Sequence, residues 1–160
     1  MIPASLRQYL DQHQVDYEIL VHAPRATAQE TAQSVHVTGK RFAKVVLLRA
    51  RRDSGPPGHV IAVLPAHEKV DLVRLGAALG QSVELAGEEE FTQLFPDAEL
   101  GAAPPFGDLA QVPVVADACL ARRRSIVFNA GTHTDLIEMG WGDFVRVARP
   151  QIFDYGRQVS

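Results

Sequence analysis

One aliphatic segment, residues 39–50, constrains the possible folds of this chain most, because it carries a lysine at its centre. From Ala43 it reads Ala-Lys-Val-Val-Leu-Leu-Arg-Ala, and such a short run of aliphatic and β-branched residues predicts a buried strand. Side chains alternate between faces along a strand, so Lys44 shares its face with three apolar residues, Phe42, Val46 and Leu48. An ammonium is costly to bury without partners. Lys44 is therefore either a strand-end lysine with its charge in solvent or a cation on a pocket wall, facing a substrate carbonyl or phosphate.

The elements around this strand predict a mixed fold. The turn-rich segment 53–58 separates it from a second aliphatic run, 59–64, which we expect to pair with it antiparallel and to end at Pro65. Periodicity and capping residues predict further helices and strands. The helices are 5–14, 27–35, 72–79, 88–95 and one from 142 to Pro150, and the strands are 17–21, 83–85, 112–117, 125–128 and 134–139. Together they predict an α/β mixed (α+β) fold with a mixed, largely antiparallel central sheet surrounded by helices, in a single domain over residues 1–160.

Composition excludes several classes of function. The 160 residues carry a net charge of −3, so the chain lacks the broad basic surface of a protein that binds duplex DNA. A single cysteine excludes an internal disulfide and fits a reducing compartment. No apolar run is long enough to span a membrane. We expect a cytoplasmic protein that binds neither DNA nor membrane, and whose nucleic-acid contacts are local. The candidate contacts are Lys40-Arg41, Arg49 with Arg51-Arg52, and Arg122-Arg123-Arg124.

No motif for a metal or cofactor is present. The six histidines fit no zinc-ligand spacing, and Cys119 stands alone. The sequence contains neither a phosphate-binding glycine-rich loop with lysine nor a dinucleotide fingerprint, and no Gly-x-Ser-x-Gly elbow. We therefore expect no metal and no cofactor, and we expect Cys119 to be a packed thiol rather than a nucleophile.

Two further segments combine residues that can form a site. The loop 101–107, Gly-Ala-Ala-Pro-Pro-Phe-Gly, is stiffened by two prolines, while Gly101 and the two alanines keep backbone N–H groups that can face an oxyanion. The segment 129–133, Asn-Ala-Gly-Thr-His, places an amide, a hydroxyl and an imidazole in one turn. Each is equally compatible with an ordinary connection, because turns favour Gly, Pro and Asn.

Two further candidate residues lie nearer the N-terminus. Thr27 precedes Glu30 by three residues, a capping-box spacing, so its simplest role is that of a helix cap. His22 stands before Ala-Pro and is compatible with an ordinary loop residue.

The lysine strand 39–50, the loop 101–107 and the turn 128–133 resemble, in order and spacing, the YbaK/prolyl-tRNA synthetase editing-domain family. The resemblance extends over nearly the whole chain, from the strand at Tyr17 to the helix after Trp141. Members of that family are small free-standing or inserted domains that hydrolyse mischarged aminoacyl-tRNA. Their fold, a mixed sheet wrapped by helices, is similar to the one predicted here.

The resemblance implies a role for each candidate residue. Lys44 corresponds to the functionally central lysine and is the candidate catalytic residue, although the sequence does not decide whether it contacts the carbonyl or the terminal phosphate. Gly101 and Pro105 match a Gly-x-x-x-Pro substrate loop. The residues implied in substrate binding are His22, Thr27, Gly101, Pro104, Pro105, Phe106, Asn129, Ala130, Gly131 and His133. We expect Lys44, Gly101 and Gly131 to meet in one cleft.

The implied activity is that of a trans-acting aminoacyl-tRNA deacylase. The Asn-Ala-Gly-x-His form of the turn is closer to the branch that acts on Ala-tRNA than to the Cys-specific branch, so the expected substrate is tRNA(Pro) carrying Ala or another small amino acid. The expected partner is the acceptor end of aminoacyl-tRNA, with prolyl-tRNA synthetase as a second candidate. Two alternatives are a non-catalytic module or regulator that recognises aminoacylated ends, and a hydrolase of small esters or amides.

Overall fold

The lysine strand forms the inside of a five-stranded sheet. The computed structural model describes residues 1–21, 32, 41–51 and 58–158. The sheet has the order β5-β2-β3-β6-β9. Its strands are β2 (Ala43–Ala50), β3 (Gly58–Pro65), β5 (Val83–Leu85), β6 (Val114–Asp117) and β9 (Gln151–Phe153). β2 pairs antiparallel with β3, as the sequence predicts, and Lys44 lies opposite Leu64. β5 pairs antiparallel with the far end of β2, whereas β3, β6 and β9 run parallel.

Both faces of this sheet are covered, because apolar residues occupy both sides of its strands. Along β3, Ile61 and Val63 enter one buried cluster while Ala62 and Leu64 enter another. This alternation follows from the two-residue period of a strand. Val46 and Leu48 belong to the second cluster, so Lys44 lies on that face of β2.

A second, three-stranded antiparallel sheet adjoins the first. It has the order β1-β8-β7, with β1 (Tyr17–Val21), β7 (Ser125–Asn129) and β8 (Asp135–Gly140). A parallel bridge between Phe42 and Val127 joins the start of β2 to the middle of β7, with the Val127 N–H 3.2 Å from the Arg41 carbonyl oxygen. From this bridge both strands run in the same direction, so Lys44 and Asn129 each lie two residues beyond it.

Within residues 1–21, 41–51 and 58–158, four helices lie against these sheets: α1 (Ala4–Gln12), α2 (Leu72–Leu79), α3 (Glu88–Leu94) and α4 (Trp141–Ala148). α2 begins and ends as predicted, because the Asp71 carboxylate accepts the Arg74 N–H and Gly80 takes a left-handed conformation with φ 69°. The single-turn segments 107–109 and 118–122 are 3₁₀ helices. Within the described residues, none of the helices is long and apolar enough to cross a membrane.

Three short strands depart from the predicted elements. β4 (Glu68–Val70) follows β3 after two residues, and β9 and β10 (Gly156–Gln158) follow Pro150, where the prediction ended in a helix. β10 pairs antiparallel with β4 in a separate two-stranded sheet. The strand predicted at 112–117 begins only at Val114. Pro65, which we expected to stop β3, is itself the last residue of that strand. Of the helix predicted at 27–35 only Ala32 is described, and it is helical and buried.

Candidate active site

The first half of the candidate site is a tight turn at the start of the Gly-Pro loop. The Ala102 N–H donates to the Glu99 carbonyl at 2.9 Å, which closes a four-residue turn over 99–102. Gly101, its third residue, has φ 81°. This is the position at which a type II turn requires a positive φ and therefore favours glycine. Because the Ala102 N–H closes the turn, it is not one of the free donors expected from the sequence, whereas the Gly101 N–H has no acceptor in the described part of the chain.

The second half is the connection between β7 and β8. The Asn129 amide donates to the Thr132 carbonyl at 3.3 Å, and the Ala130 N–H donates to the Asp135 carbonyl at 2.9 Å. The Thr132 hydroxyl donates to the Asp135 carboxylate at 2.7 Å. That hydrogen bond is the largest cause that holds the pKa of Asp135 below its usual range. The turn is therefore fixed internally before any substrate contacts it.

Four hydrogen bonds join these two segments. In the backbone, Glu99 N–H donates to the Gly131 carbonyl at 2.8 Å, and Gly131 N–H donates to the Ala102 carbonyl at 2.9 Å. His133 makes the other two: its N–H donates to the Glu99 carboxylate at 2.6 Å, and its Nε2 lies 2.6 Å from the Leu100 carbonyl oxygen. The structure thus brings the predicted Gly101 loop and Gly131 turn into direct contact. We call these four hydrogen bonds the clamp.

The contact with Leu100 decides which nitrogen of His133 carries the proton. A carbonyl oxygen only accepts hydrogen bonds, so Nε2 must be the protonated nitrogen. In the neutral ring Nδ1 then carries a lone pair, which can accept a hydrogen bond from an ammonium or hydroxyl group. The ring lies over Gly101, since a Cβ at that position would be 3.7 Å from His133 Cε1.

Lys44 lies in a different environment from the clamped loop and turn. Its side chain is partly buried, and its Nζ is 3.4 Å from the Ala66 carbonyl oxygen. Burial lowers the pKa of Lys44, and the nearby Glu68 carboxyl group partly opposes that effect. Through the Phe42–Val127 bridge, Lys44 and Asn129 point to the same side at the same distance along their strands. The described residues contain no hydrogen bond between Lys44 and either segment.

Several of the predicted site residues are buried. The ring of Phe106 is fully buried and packs edge-on against Phe128 with centroids 5.5 Å apart. We expected Phe106 to contact the substrate, but its buried ring instead belongs to the core and anchors the loop. Pro105 and Ala130 are also buried. Pro104 and Gly131 line one apolar cavity of about 90 Å³ beside α1. His22 and Thr27 lie outside the described residues.

Glu99 is the site residue that the sequence did not single out. It contributes both a backbone N–H and a carboxylate oxygen to the clamp. Its position two residues before the Gly-x-x-x-Pro pattern was a usable signal, because a type II turn with Gly101 as its third residue must begin two residues earlier. Nothing in the local sequence indicated that its carboxylate would reach His133, thirty-odd positions later.

One group of side chains has the composition of a metal site. Ligand atoms of Glu68, Asp117 and Cys119 lie within 4.8 Å of one another. However, both Asp117 oxygens already accept backbone N–H groups, and Arg122 and Arg123 line the adjoining cavity. Positive side chains beside the same cavity oppose a cation, so we assign no metal to these residues.

Comparison with known proteins identifies one family over most of the chain. Residues 22–147 match the model of the aminoacyl-tRNA editing domain family. The chain is 27% identical over 150 residues to the multifunctional Ser/Thr-tRNA deacylase ProXp-y of Escherichia coli (strain K12), an alignment that covers 92% of this chain and 89% of that protein. The protein of the same name from Escherichia coli O157:H7 matches equally.

Two solved structures share the fold. The hypothetical protein APE2540 superposes with a TM-score of 0.83 at 18% identity, covering 95% of this chain and 99% of the other. A protein proposed as a trans-editing enzyme for prolyl-tRNA synthetase superposes with a TM-score of 0.81 at 19% identity, covering 98% and 99%. At these identities the superpositions establish the fold alone, and they confirm the predicted α+β architecture.

Proposed function

Because this chain belongs to the aminoacyl-tRNA editing domain family, we propose that it removes Ser, Thr or another small amino acid from mischarged tRNA in trans. Family membership identifies it as an aminoacyl-tRNA hydrolase. The observation that carries the proposal is the clamp between the Gly101 loop and the Gly131 turn. It fixes the polar groups of the two segments in place, and the Phe42–Val127 bridge sets Asn129, at the start of the turn, level with Lys44 along their strands.

The geometry supports hydrolysis by positioned water rather than by a protein nucleophile. An aminoacyl ester needs a water placed on its carbonyl carbon and stabilisation of the developing oxyanion. The Lys44 ammonium and the exposed Gly101 N–H are the groups that can supply this stabilisation. The chain's one thiol is a poor nucleophile, since burial, followed by the charges of Asp117 and Glu68, raises the pKa of Cys119 to about 11.

The choice of amino acid rests on the turn and on the relative. The sequence favoured Ala or another small amino acid, whereas the relative at 27% identity is named a Ser/Thr-tRNA deacylase. The Nδ1 lone pair of His133 offers an acceptor for the α-ammonium or the side-chain hydroxyl of a substrate. Ser and Thr present both groups and Ala only the first, so we place Ser and Thr ahead of Ala.

The choice of tRNA rests on a structural neighbour. A structural neighbour is proposed to act in trans for prolyl-tRNA synthetase, which supports tRNA(Pro) as the mischarged species and that synthetase as a partner.

Pro itself should be rejected. The Gly101 turn and the β7–β8 turn are cross-linked by four hydrogen bonds, and rigid walls exclude a ring by steric clash.

A panel of charged tRNAs tests this substrate choice. Release of free amino acid should be measured as kcat/KM for tRNA(Pro) carrying Ala, Ser, Thr, Cys or Pro. We expect Ser and Thr to be released fastest and Pro slowest. A faster release of Ala than of Ser would refute the hydroxyl preference, and equal release of Pro would refute the steric argument.

The role of Lys44 is tested by Lys44→Ala, with Lys69→Ala as a matched control on the exposed side of β4. Removal of a preorganised group that stabilises an oxyanion costs about 10²–10³ in rate. We expect a loss of that size for Lys44→Ala only. Its stability should change little, because the Lys44 ammonium makes one long hydrogen bond and no ion pair within the described residues. Near wild-type turnover in Lys44→Ala would refute the catalytic role.

A further inference from the structure

The end of β6 carries a buried carboxylate that accepts hydrogen bonds from the backbone. Asp117 is fully buried and accepts three backbone N–H groups. Tyr155 and Gly156 donate to Oδ1 at 3.0 and 2.9 Å, and Cys119 donates to Oδ2 at 3.2 Å. Hydrogen bonds of this kind stabilise the charged form of a carboxylate. Two of the three donors come from the segment after β9, so that segment supports the charge of Asp117.

A second carboxyl group, Glu68, is buried against the first. Glu68 begins β4 and is 6% exposed. Its Oε2 is buried and has no hydrogen-bond partner among the described residues. The two carboxyl groups meet over the backbone of Gly156, where a Cβ would lie 1.9 Å from Glu68 Oε2 and 3.3 Å from Asp117 Cγ. Glycine at 156 therefore makes room for this pair.

Two carboxylates this close in a buried site do not both ionise. Asp117, with three N–H donors, is the better anion. An ionised Glu68 would leave Oε2 as an unsatisfied buried acceptor, whereas a protonated Glu68 turns it into a donor toward Asp117. Burial first, and then the Asp117 charge, raise the pKa of Glu68, which agrees with this assignment.

The pair lies next to the proposed catalytic lysine. Lys44 Nζ is 3.4 Å from the carbonyl oxygen of Ala66, two residues before Glu68. We propose that Glu68 and Asp117 share one proton, carried by Glu68, and that Glu68 is a positioning residue that sets the charge beside Lys44. The importance of this arrangement for catalysis rests on the proposed function, but the shared proton itself does not.

Several other ionisable groups surround Glu68 and must be considered in any titration. His67 Nε2 is 3.9 Å from Glu68 Oε1, and a cavity of about 160 Å³ beside Glu68 is lined by Arg122 and Arg123. The remaining groups are Lys44, Asp117, Cys119 and Tyr155. The arginines keep their charge over the accessible range of pH, so they contribute a constant positive charge beside Glu68 in any titration.

Equilibrium unfolding tests the shared proton. Glu68→Gln replaces the protonated acid by a neutral group of the same shape. A carboxyl group whose pKa is raised by folding binds more protons in the native state, so it loses stability as the pH rises from its unfolded pKa to its folded one. We expect Glu68→Gln to match the wild type below the unfolded glutamate pKa of about 4.3 and to gain in melting temperature relative to it as the pH rises above that value. Glu18→Gln, on exposed β1, should follow the wild type throughout. A pH-independent difference between Glu68→Gln and wild type would overturn the proposal.

Two NMR titrations test the same assignment without any tRNA. The chain has three lysines, Lys40, Lys44 and Lys69, so ¹³C-labelled lysine gives three Cε signals, and Lys44→Arg assigns the relevant one. In wild type, Lys44 should show an additional inflection below its own titration. In Glu68→Gln that inflection should vanish, and Lys44 should titrate at lower pH because the Glu68 charge is absent. Superimposable curves would overturn the role of Glu68 beside Lys44.

The second titration uses the wild-type protein alone and so does not depend on a variant folding. The Cδ signal of Glu68 should titrate well above the ordinary glutamate pKa of about 4.3. A Glu68 signal that titrates at or below that value would overturn the shared proton. Neither NMR result depends on deacylation, so an inactive preparation with the expected titrations would refute the proposed function and leave the pair intact.

Discussion

Gly131→Ala perturbs the clamp at its centre, because Gly131 both donates to Ala102 and accepts from Glu99. Two costs add. Gly131 has φ 92°, and an L-residue in the left-handed region costs about 1–2 kcal/mol. An added Cβ would also lie 2.7 Å from both Cδ and Cγ of Pro3, and overpacking of this kind costs about 1–3 kcal/mol. The expected loss of stability is the sum, about 2–5 kcal/mol.

Substitutions at two control glycines, measured by urea unfolding, separate the conformational cost from the packing cost. Gly80 has φ 69° but nothing within 4 Å of an added Cβ, so Gly80→Ala should show the conformational cost alone. Gly142 has neither feature and lies in α4, where alanine should be neutral or stabilise by about 0.5–1 kcal/mol. Because the turn carries His133, the folded Gly131→Ala enzyme should also lose roughly 10²-fold in kcat/KM, the effect of a displacement of about 1 Å. Unfolding of Gly131→Ala at the same urea concentration as Gly142→Ala would refute the reasoning.

Two further substitutions separate core and surface roles. Phe106→Ala should cost about 3–5 kcal/mol of stability, because it truncates a buried aromatic side chain, while KM for the folded enzyme stays unchanged. A raised KM with little loss of stability would instead indicate that Phe106 contacts the substrate. Glu90→Gln should destabilise near neutral pH, because hydrogen bonds from Arg49 first, then the Gly87 N–H and His59, hold the pKa of Glu90 well below its usual range. That contribution is present above the unfolded pKa of about 4.3 and disappears as the pH falls. Urea unfolding at several pH values, with exposed Glu89→Gln as control, checks this, and a loss that persists in acid would contradict it.

Local signals explain which parts of the fold the sequence predicted. The β2–β3 hairpin was predictable because two aliphatic runs flank a turn-rich segment, and α2 because Asp71 and Gly80 fix its ends. β9 and β10 are three residues each and mostly exposed. Their pairing with β6 and β4 is a tertiary effect, and no periodicity within three residues indicates it.

The candidate site was predictable to the extent that its chemistry is local. Gly101 and Gly131 were identified by composition, and both have a positive φ in the structure. Phe106 was misassigned because a loop aromatic has the same sequence signal whether its ring faces a substrate or the core. Its burial depends on Phe128 and on helix α4, which no local pattern reveals.

The two sides of the site are held by different forces, and this difference bears on how activity depends on pH. The loop and the turn are joined by backbone hydrogen bonds and by His133 and Glu99, so most of the clamp does not titrate. Lys44 instead lies near Glu68, which carries the proton that it shares with Asp117, while the backbone N–H groups of Tyr155 and Gly156 stabilise the Asp117 carboxylate. The segment that supplies those donors follows Pro150, beyond the last element that the sequence predicted. The chain thus sets the charge beside its proposed catalytic lysine with residues that carry no catalytic signature of their own.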